Sequence, residues 1–253
     1  MSDVGDFKSG ADSKEAFAVP NLVEHRFEVK EYLVLSTVMF VLGVGIGLFL
    51  VWRCGWQLLI IGGLGLVLTL LYTQSKKVWL SDATIFVIFG VLIVLGTAFV
   101  AVGGIHYDVL LLSIPLGLIT LSVLHANNTR DMETDRAVGV RTIAIALGAK
   151  RSARLYIAYQ VIPFIWIVGC VIAGWIPWTS LICLVALGPA LGNIRQAATY
   201  KDAGIKALEM LDLKSAKLQL VFSLTLSIGL FVAIHSSYSK NINGSNSSTC
   251  FIN

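Results

Sequence analysis

Seven stretches of this chain are too long and too uniformly apolar to be stable anywhere but inside a lipid bilayer. They cover residues 32–52, 56–72, 83–102, 109–124, 155–176, 178–191 and 218–234. A helix needs about 20 residues to cross a hydrocarbon core about 30 Å thick. The seven runs approach that length, the fourth and sixth being the shortest. Strands are excluded by pattern, because a membrane barrel alternates apolar and polar side chains while these runs are apolar on every face. Composition agrees: 56% of residues are hydrophobic, 13% are charged and the mean hydropathy is +0.80, a charged share about half that of an average soluble domain. The fold class expected is an all-α integral membrane protein with seven spans.

Charge fixes which way the spans run. Threading seven helices in order puts residues 1–31, 73–82, 125–154 and 192–217 on one side of the membrane. Of the 19 Lys and Arg residues, all but Arg53 and Lys240 fall there, and by the positive-inside rule that side is cytoplasmic. The opposite side has short turns flanked by Trp52, Trp56, Tyr107, Trp175 and Trp178, an aromatic belt at the second interface. Topology and anionic lipid headgroups account for the net charge of +4, which implies no nucleic-acid partner. A seven-helix receptor would place its N-terminus outside, and a transporter would carry charges near the midplane, whereas here they gather at one interface.

Where the fourth span ends the chain turns abruptly polar, reading Asn127-Asn128-Thr129-Arg130-Asp131-Met132-Glu133-Thr134-Asp135. Asn127, Asp131 and Asp135 recur at i, i+4 and i+8, which on a helix makes one polar stripe. Two carboxylates and a carboxamide are the oxygen donors that Mg²⁺ prefers, substrate phosphates completing its shell. The plainer reading is a charged helix end that keeps a loop in water. A second acidic cluster opens the chain, Ser2-Asp3-Val4-Gly5-Asp6-Phe7-Lys8-Ser9-Gly10-Ala11-Asp12. Four spans separate the clusters, so both face one cytoplasmic vestibule, where paired carboxylates could clamp a diphosphate through bridging Mg²⁺. Read alone, the first cluster is an ordinary acidic terminus.

Together, residues 6–12 and 127–135, with Gly139, Thr142 and Leu147-Gly148, resemble the two Asp-rich motifs of the UbiA superfamily of intramembrane prenyltransferases. The second motif is most similar to the MenA branch, and residues 124–133 look most like its animal vitamin K₂ enzymes. The resemblance covers almost the whole chain to about Ile234. It implies a UbiA-type helical bundle and a Mg²⁺-dependent transferase. The prenyl group, geranylgeranyl in the vitamin K₂ branch, would pass from an isoprenyl diphosphate to a naphthoquinone-type aromatic acceptor in menaquinone biosynthesis. It assigns Asp6, Asp131 and Asp135 as catalytic residues and Asp6, Asp12, Asn127, Asp131 and Asp135 as metal ligands. Tyr72, Lys76, Lys77 and Arg130 would contact diphosphate, Tyr72 and Lys76 as counterparts of the superfamily's Tyr-x-x-x-Lys element. Lys76 and Lys77 read equally well as positive-inside anchors. Asp3, Asp82 and Asn128 are further candidates; Asp82 opens the next helix, where it suits an N-cap, and His125 reads as structural. The surroundings implied are endoplasmic reticulum or Golgi, or a mitochondrial membrane, with both motifs facing the cytoplasm. Nothing in the residues points to a protein partner.

The departures from the family pattern are specific. The family has nine membrane helices, with the first motif after the second. Ser2 stands where the motif begins with Asn, Val4 and Gly5 replace an aromatic pair, and Gln74-Ser75-Lys76 replaces a Gly-Gly element. A domain over residues 1–236 lacking the family's first two helices is therefore expected, the natural protein being longer at its N-terminus. The alternative function is a catalytically inactive truncated member acting as a lipid- or protein-binding membrane subunit. Residues 199–217 read as a loop or helix lying at the interface, and residues 237–253 as a polar, disordered tail with N-glycosylation patterns at Asn243 and Asn246. Cys54, Cys170, Cys183 and Cys250 show no metal or redox spacing. Phe86 and Phe89, one turn inside the membrane, are candidates for stabilising an allylic cation.

Overall fold

The computed structural model describes residues 29–75, 79–105, 109–137 and 139–247. Among them the chain is built of helices: α1 (Val29–Cys54), α2 (Gln57–Ser75), α3 (Ser81–Val102), α4 (Leu110–Arg130), α5 (Met132–Ala137), α6 (Ile143–Leu147), α7 (Ala149–Ile172), α8 (Trp178–Ala198), α9 (Tyr200–Ala203) and α10 (Leu211–Ser247). Six of these, α1, α3, α4, α7, α8 and α10, are long and apolar enough to cross a membrane. The seventh apolar run is α2, an apolar helix whose hydrophobic part, Gln57–Tyr72, is shorter than the other six. The fourth and sixth spans, expected to be the shortest, are of full length. Helical hydrogen bonding carries α4 on through the polar motif to Arg130. In α8 a 3₁₀ stretch, Trp178–Ala186, precedes the α-helical Leu187–Ala198, and 3₁₀ structure rises about 2.0 Å per residue against 1.5.

Helix α4 is the hub, packing against α3, α7 and α10, while α8 closes on α7 and α10. Between α4, α7, α8 and α10 lies a core of Ile119, Phe164, Ile167, Cys183, Ala186, Leu218 and Phe222, with the rings of Phe164 and Phe222 edge to face at 5.5 Å. Lipid tails are as apolar as Leu, so helix partners in a bilayer are chosen by close backbone approach and interhelical hydrogen bonds. Both are present. A Cβ on Gly90 would lie 3.0 Å from the Gly117 Cα, and one on Gly117 would lie 2.7 Å from the Phe86 ring, so only glycine permits this α3–α4 crossing. Deeper in, Gln160 of α7 donates to Ser122 of α4 at 2.9 Å and to Ser215 of α10 at 3.2 Å, and the Ser215 hydroxyl also meets Tyr156 Oη at 2.7 Å. Helices α1 and α2 instead leave most of their Leu, Val and Ile side chains exposed, Leu58 being buried, the faces that lipid covers. Trp52, Trp56, Trp175 and Trp178 are exposed at the α1–α2 and α7–α8 turns, where an aromatic belt belongs; Tyr107 lies outside the described residues.

Two local features shape the site. Within α3 the stretch Phe86–Leu92 is π-helical, a form that adds a residue to the turn and is frequent at functional sites. It turns Phe86 onto Gly117 and Phe89 toward an open cavity. The stretch 199–217 is not a single interfacial helix: α9 is followed by a 3₁₀ turn, Gly204–Leu208, and α10 starts at Leu211. Leu208 and Leu211 are buried against Ala126, Tyr156 and Ala197. This apolar contact pins the turn onto the ends of α4, α7 and α8 and makes Asp212 part of the last membrane helix. The backbone of α10 stays helical to Ser247, into the Ser/Asn-rich tail, as a helix already nucleated by packing can.

Candidate active site

The polar motif ends α4 and breaks it without losing its helical phase. At Asp131 the backbone leaves helical geometry (φ −94°, ψ 14°), yet its N–H still donates to the Asn127 carbonyl at 2.9 Å and the Asp135 N–H to the Asp131 carbonyl at 2.9 Å. Asn127, Asp131 and Asp135 therefore occupy successive turns across two helices, α4 and α5, rather than one. The loop that follows is held by Gly139 at φ +77° and Gly148 at φ +72°, left-handed conformations that glycine adopts without strain. Between them Thr142 caps α6 by accepting from the Ile145 N–H at 3.3 Å.

Arg130 binds this corner together. Its Nε and one terminal nitrogen donate to the two oxygens of Asp131 at 2.8 and 3.0 Å, the same terminal nitrogen reaches the Asn127 carboxamide oxygen, and the other donates to Asp212 on α10 at 3.0 Å. Such a fork on a carboxylate is stronger and more directional than a neutral bond. The guanidinium is only 5% exposed while Asp131 and Asp212 are 19% and 30% exposed, so the carboxylates face outward and the cation lies behind them. Expected on the diphosphate, Arg130 here spends its described hydrogen bonds on the motif itself and on Asp212, a residue the sequence reading left in a loop.

An open cavity of about 440 Å³ begins at this mouth, lined by Asn127 and Asp212 at its polar end and by Ile85, Phe89, Val123, Leu124 and Ala216, with Thr120 and Gln219, further in. Its walls come from α3, α4 and α10. One end thus offers oxygen donors, and the rest is apolar apart from Thr120 and Gln219. Phe89 faces it; Phe86 does not line it.

A sealed polar network stands on the other side of α4. Asp82 is 2% exposed and does not cap α3, whose N-cap is Leu80; a helix start pressed against α4 gives the carboxylate a better partner than its own backbone. Its oxygens meet the Ser81 hydroxyl at 3.2 Å and His125 Nδ1 at 3.3 Å. His125 Nε2 meets the Ser152 carbonyl at 3.1 Å and hydroxyl at 2.8 Å, and that hydroxyl meets Thr129 Oγ1 at 2.5 Å. The order Asp–His–Ser has the connectivity of a hydrolytic triad. His125 and Ser152 are 0% exposed, however, so no substrate reaches them, and the network ties α3, α4 and α7 together just beneath the motif.

The remaining candidates divide. Tyr72 stands in the last turn of α2, its carbonyl accepting from Ser75 at 2.6 Å, and lines no part of the cavity. Asn128 is buried, and its Nδ2 has no hydrogen-bond partner among the described residues. Asp3, Asp6, Asp12, Lys76 and Lys77 lie outside the described residues. Among the described residues no group of three His, Cys, Asp or Glu side chains is close enough to hold a metal. The donors present are all oxygens, which suits a hard cation needing one or two carboxylates, though both Asp131 oxygens are shared with Arg130. Asp212, Thr120 and Gln219 are the polar cavity residues that sequence reasoning missed. The signal available was spacing: Thr120 and Asn127, like Asp212 and Gln219, are seven apart and so share a helical face.

The described helices form a membrane-type bundle whose open cavity has Asn127 and Asp212 at one end and mostly apolar side chains along the rest. The chain belongs to the UbiA prenyltransferase family, whose pattern it matches over residues 2–218. It is 27% identical to the 1,4-dihydroxy-2-naphthoate octaprenyltransferase of Bacillus subtilis over 90% of this chain and 74% of that one. It is 30% identical to UbiA prenyltransferase domain-containing protein 1 of Gallus gallus, over 90% of this chain and 68% of the relative, and 34% identical to the Homo sapiens protein of that name, over 67% and 48%. Its fold is similar to a solved structure of digeranylgeranylglyceryl phosphate synthase, with a TM-score of 0.57 at 18% identity, covering 90% of this chain and 78% of the other.

Proposed function

We propose that the chain transfers a prenyl group, geranylgeranyl by preference, from its diphosphate to a naphthoquinol-type ring in menaquinone (vitamin K₂) biosynthesis, using Mg²⁺. The observation that carries this is the cavity, with Asn127 and Asp212 at its mouth and Ile85, Phe89, Val123 and Leu124 within. The names of the relatives, which include a naphthoate octaprenyltransferase, support a ring acceptor of that class. Asp131 and Asp212 together put two negative charges against the one guanidinium they share, that of Arg130, so a diphosphate brought to this corner would be held better with cations accompanying it. Asn127, Asp131 and Asp135 would hold Mg²⁺, which when bound neutralises the diphosphate and makes it a better leaving group.

The chain's own residues then have defined tasks. The C1–O bond of the allylic diphosphate breaks with its electron pair leaving on diphosphate. A ring carbon supplies the pair for the new C–C bond, and its proton passes to the released diphosphate as the ring regains aromaticity. Arg130, behind Asp131, holds the carboxylates in place and tempers their charge. Phe89 offers a ring face to the allylic cation, a contact worth about 0.5 to 2 kcal/mol, and the apolar wall keeps water from capturing it. By the positive-inside rule the site opens to the cytoplasm, at the endoplasmic reticulum or Golgi. The test is titration of the purified protein with geranylgeranyl thiodiphosphate, which binds without reacting. Binding should require Mg²⁺ and weaken at least tenfold, about 1.4 kcal/mol, in Asp131→Ala; affinity unchanged by EDTA or by that substitution would rule out the metal bridge.

A further inference from the structure

Two turns deeper than its mouth, the cavity carries a second polar pair. Thr120 precedes Asn127 on α4 and Gln219 follows Asp212 on α10, each by two helical turns, and because each helix points its mouth residue the same way, both lie about 10 Å further into the bilayer at 1.5 Å per residue. Gln219 Nε2 donates to Thr120 Oγ1 at 2.8 Å, while the Thr120 hydroxyl donates to the Leu116 carbonyl at 2.9 Å. Both side chains line the cavity with Ile85, Phe89, Val123 and Ala216. A carboxamide has two N–H donors and a carbonyl acceptor. Among the described residues only the Thr120 bond is made to this one, so its carbonyl oxygen and one N–H stay available. Polar groups at hydrocarbon depth are costly without partners. An isoprenoid tail offers them none, and a ring hydroxyl or carbonyl does.

We infer that Thr120 and Gln219 form the subsite for an uncharged ring oxygen of the aromatic acceptor, the Gln219 carbonyl accepting a ring hydroxyl. The inference rests on the prenyl-transfer reading above and names where its second substrate sits. Neither side chain is charged, so the oxygen recognised here is a hydroxyl or carbonyl; a carboxylate at this depth would have no counter-charge. A hydroxyl that donates to a carbonyl keeps electron density on its oxygen and feeds the ring carbons ortho and para to it, the positions an allylic cation attacks. The carboxamide cannot remove the proton, so the ring stays neutral until the C–C bond forms. About 10 Å between the two polar levels leaves room for the ring between them, within the 3 to 3.5 Å of the prenyl carbon that reaction requires.

The test is equilibrium binding to the full chain in detergent under reducing conditions, with menadiol and 1,4-dimethoxy-2-methylnaphthalene, its O-methylated analogue without hydroxyl hydrogens, as probes. The wild type should bind menadiol about tenfold or more tightly than the dimethoxy compound, since a site built to pair a hydroxyl rejects ligands lacking it. In Gln219→Leu and in Thr120→Val that preference should fall to within about twofold, while affinity for geranylgeranyl thiodiphosphate with Mg²⁺ stays unchanged, which also shows that the variants are folded. No preference in the wild type, or a preference kept by both variants, overturns the subsite. So does a loss of thiodiphosphate affinity in folded, monodisperse variants, which would give the pair to the prenyl chain. If no form binds thiodiphosphate, the prenyl-transfer reading fails, and the menadiol comparison still decides on its own whether Thr120 and Gln219 recognise a ring hydroxyl.

Discussion

At the scale of single residues, the mouth depends on Arg130 having enough partners. Four hydrogen bonds to Asn127, Asp131 and Asp212 hold a guanidinium that is almost out of water, and charge-assisted bonds of this kind contribute about 1.5 to 3 kcal/mol each. Asp212→Asn removes one charge but not the fork on Asp131. Prenyl transfer should therefore fall about tenfold with the protein still folded, measured as kcat/KM for the diphosphate; an unchanged value would mean that Asp212 plays no part in placing Arg130. The Asp82–His125 pair should behave differently. It lines no part of the cavity of Asn127 and Asp212, so His125→Ala should lower stability by about 2 to 4 kcal/mol, leaving a buried carboxylate without its imidazole. In a double-mutant cycle, Asp82→Ala with His125→Ala should cost less than the two single changes together. Additive losses in thermal unfolding would show that the 3.3 Å contact contributes nothing.

At the scale of helices, the α3–α4 crossing sets the cavity's width. Gly90→Val would drive a side chain into Gly117 and the Ser113 carbonyl, both backbone within 3.1 Å of the new Cβ, and overpacking of this kind costs about 1 to 3 kcal/mol. Gly62→Val on α2, with nothing within 4 Å, is the control and should leave the unfolding temperature almost unchanged. Equal effects would mean that α3 and α4 do not meet through their glycines. The sequence carried part of this and concealed part. Runs apolar on every face announced α1, α3, α4, α7, α8 and α10, because hydropathy alone marks a span. Which faces meet was hidden, since Gly90 and Gly117 differ from Gly62 only in what lies opposite. The motif residues Asn127, Asp131 and Asp135 could be read because their spacing is local. Asp212, Thr120 and Gln219 join the site only through the packing of α10 on α4, a contact between distant segments, and Asp212 was further masked by lying before the apolar run that marks the last span.

At the scale of the whole molecule, the basic residues gather at one end of the apolar runs, and the proposed topology, with the cavity mouth on the cytoplasmic side, follows from that asymmetry by the positive-inside rule. In a background with the four native Cys residues replaced, Glu133→Cys on exposed α5 and Ala173→Cys at the exposed α7–α8 turn should react with a membrane-impermeant maleimide from opposite faces of sealed vesicles, position 133 from the cytoplasmic face. Labelling of both from one face would contradict the threading of the helices. The same polarity joins a polar rim to an apolar interior, an arrangement that suits the proposed reaction between a diphosphate and a membrane-dissolved ring. The most direct measurement is turnover. Protein reconstituted in liposomes should convert geranylgeranyl diphosphate and menadiol into a prenylated naphthoquinol with Mg²⁺, and give no product above background with EDTA or in Asp131→Ala. Folded wild-type protein that forms no such product with Mg²⁺, or forms it equally well after either change, would contradict a metal-assisted prenyl transfer at this site.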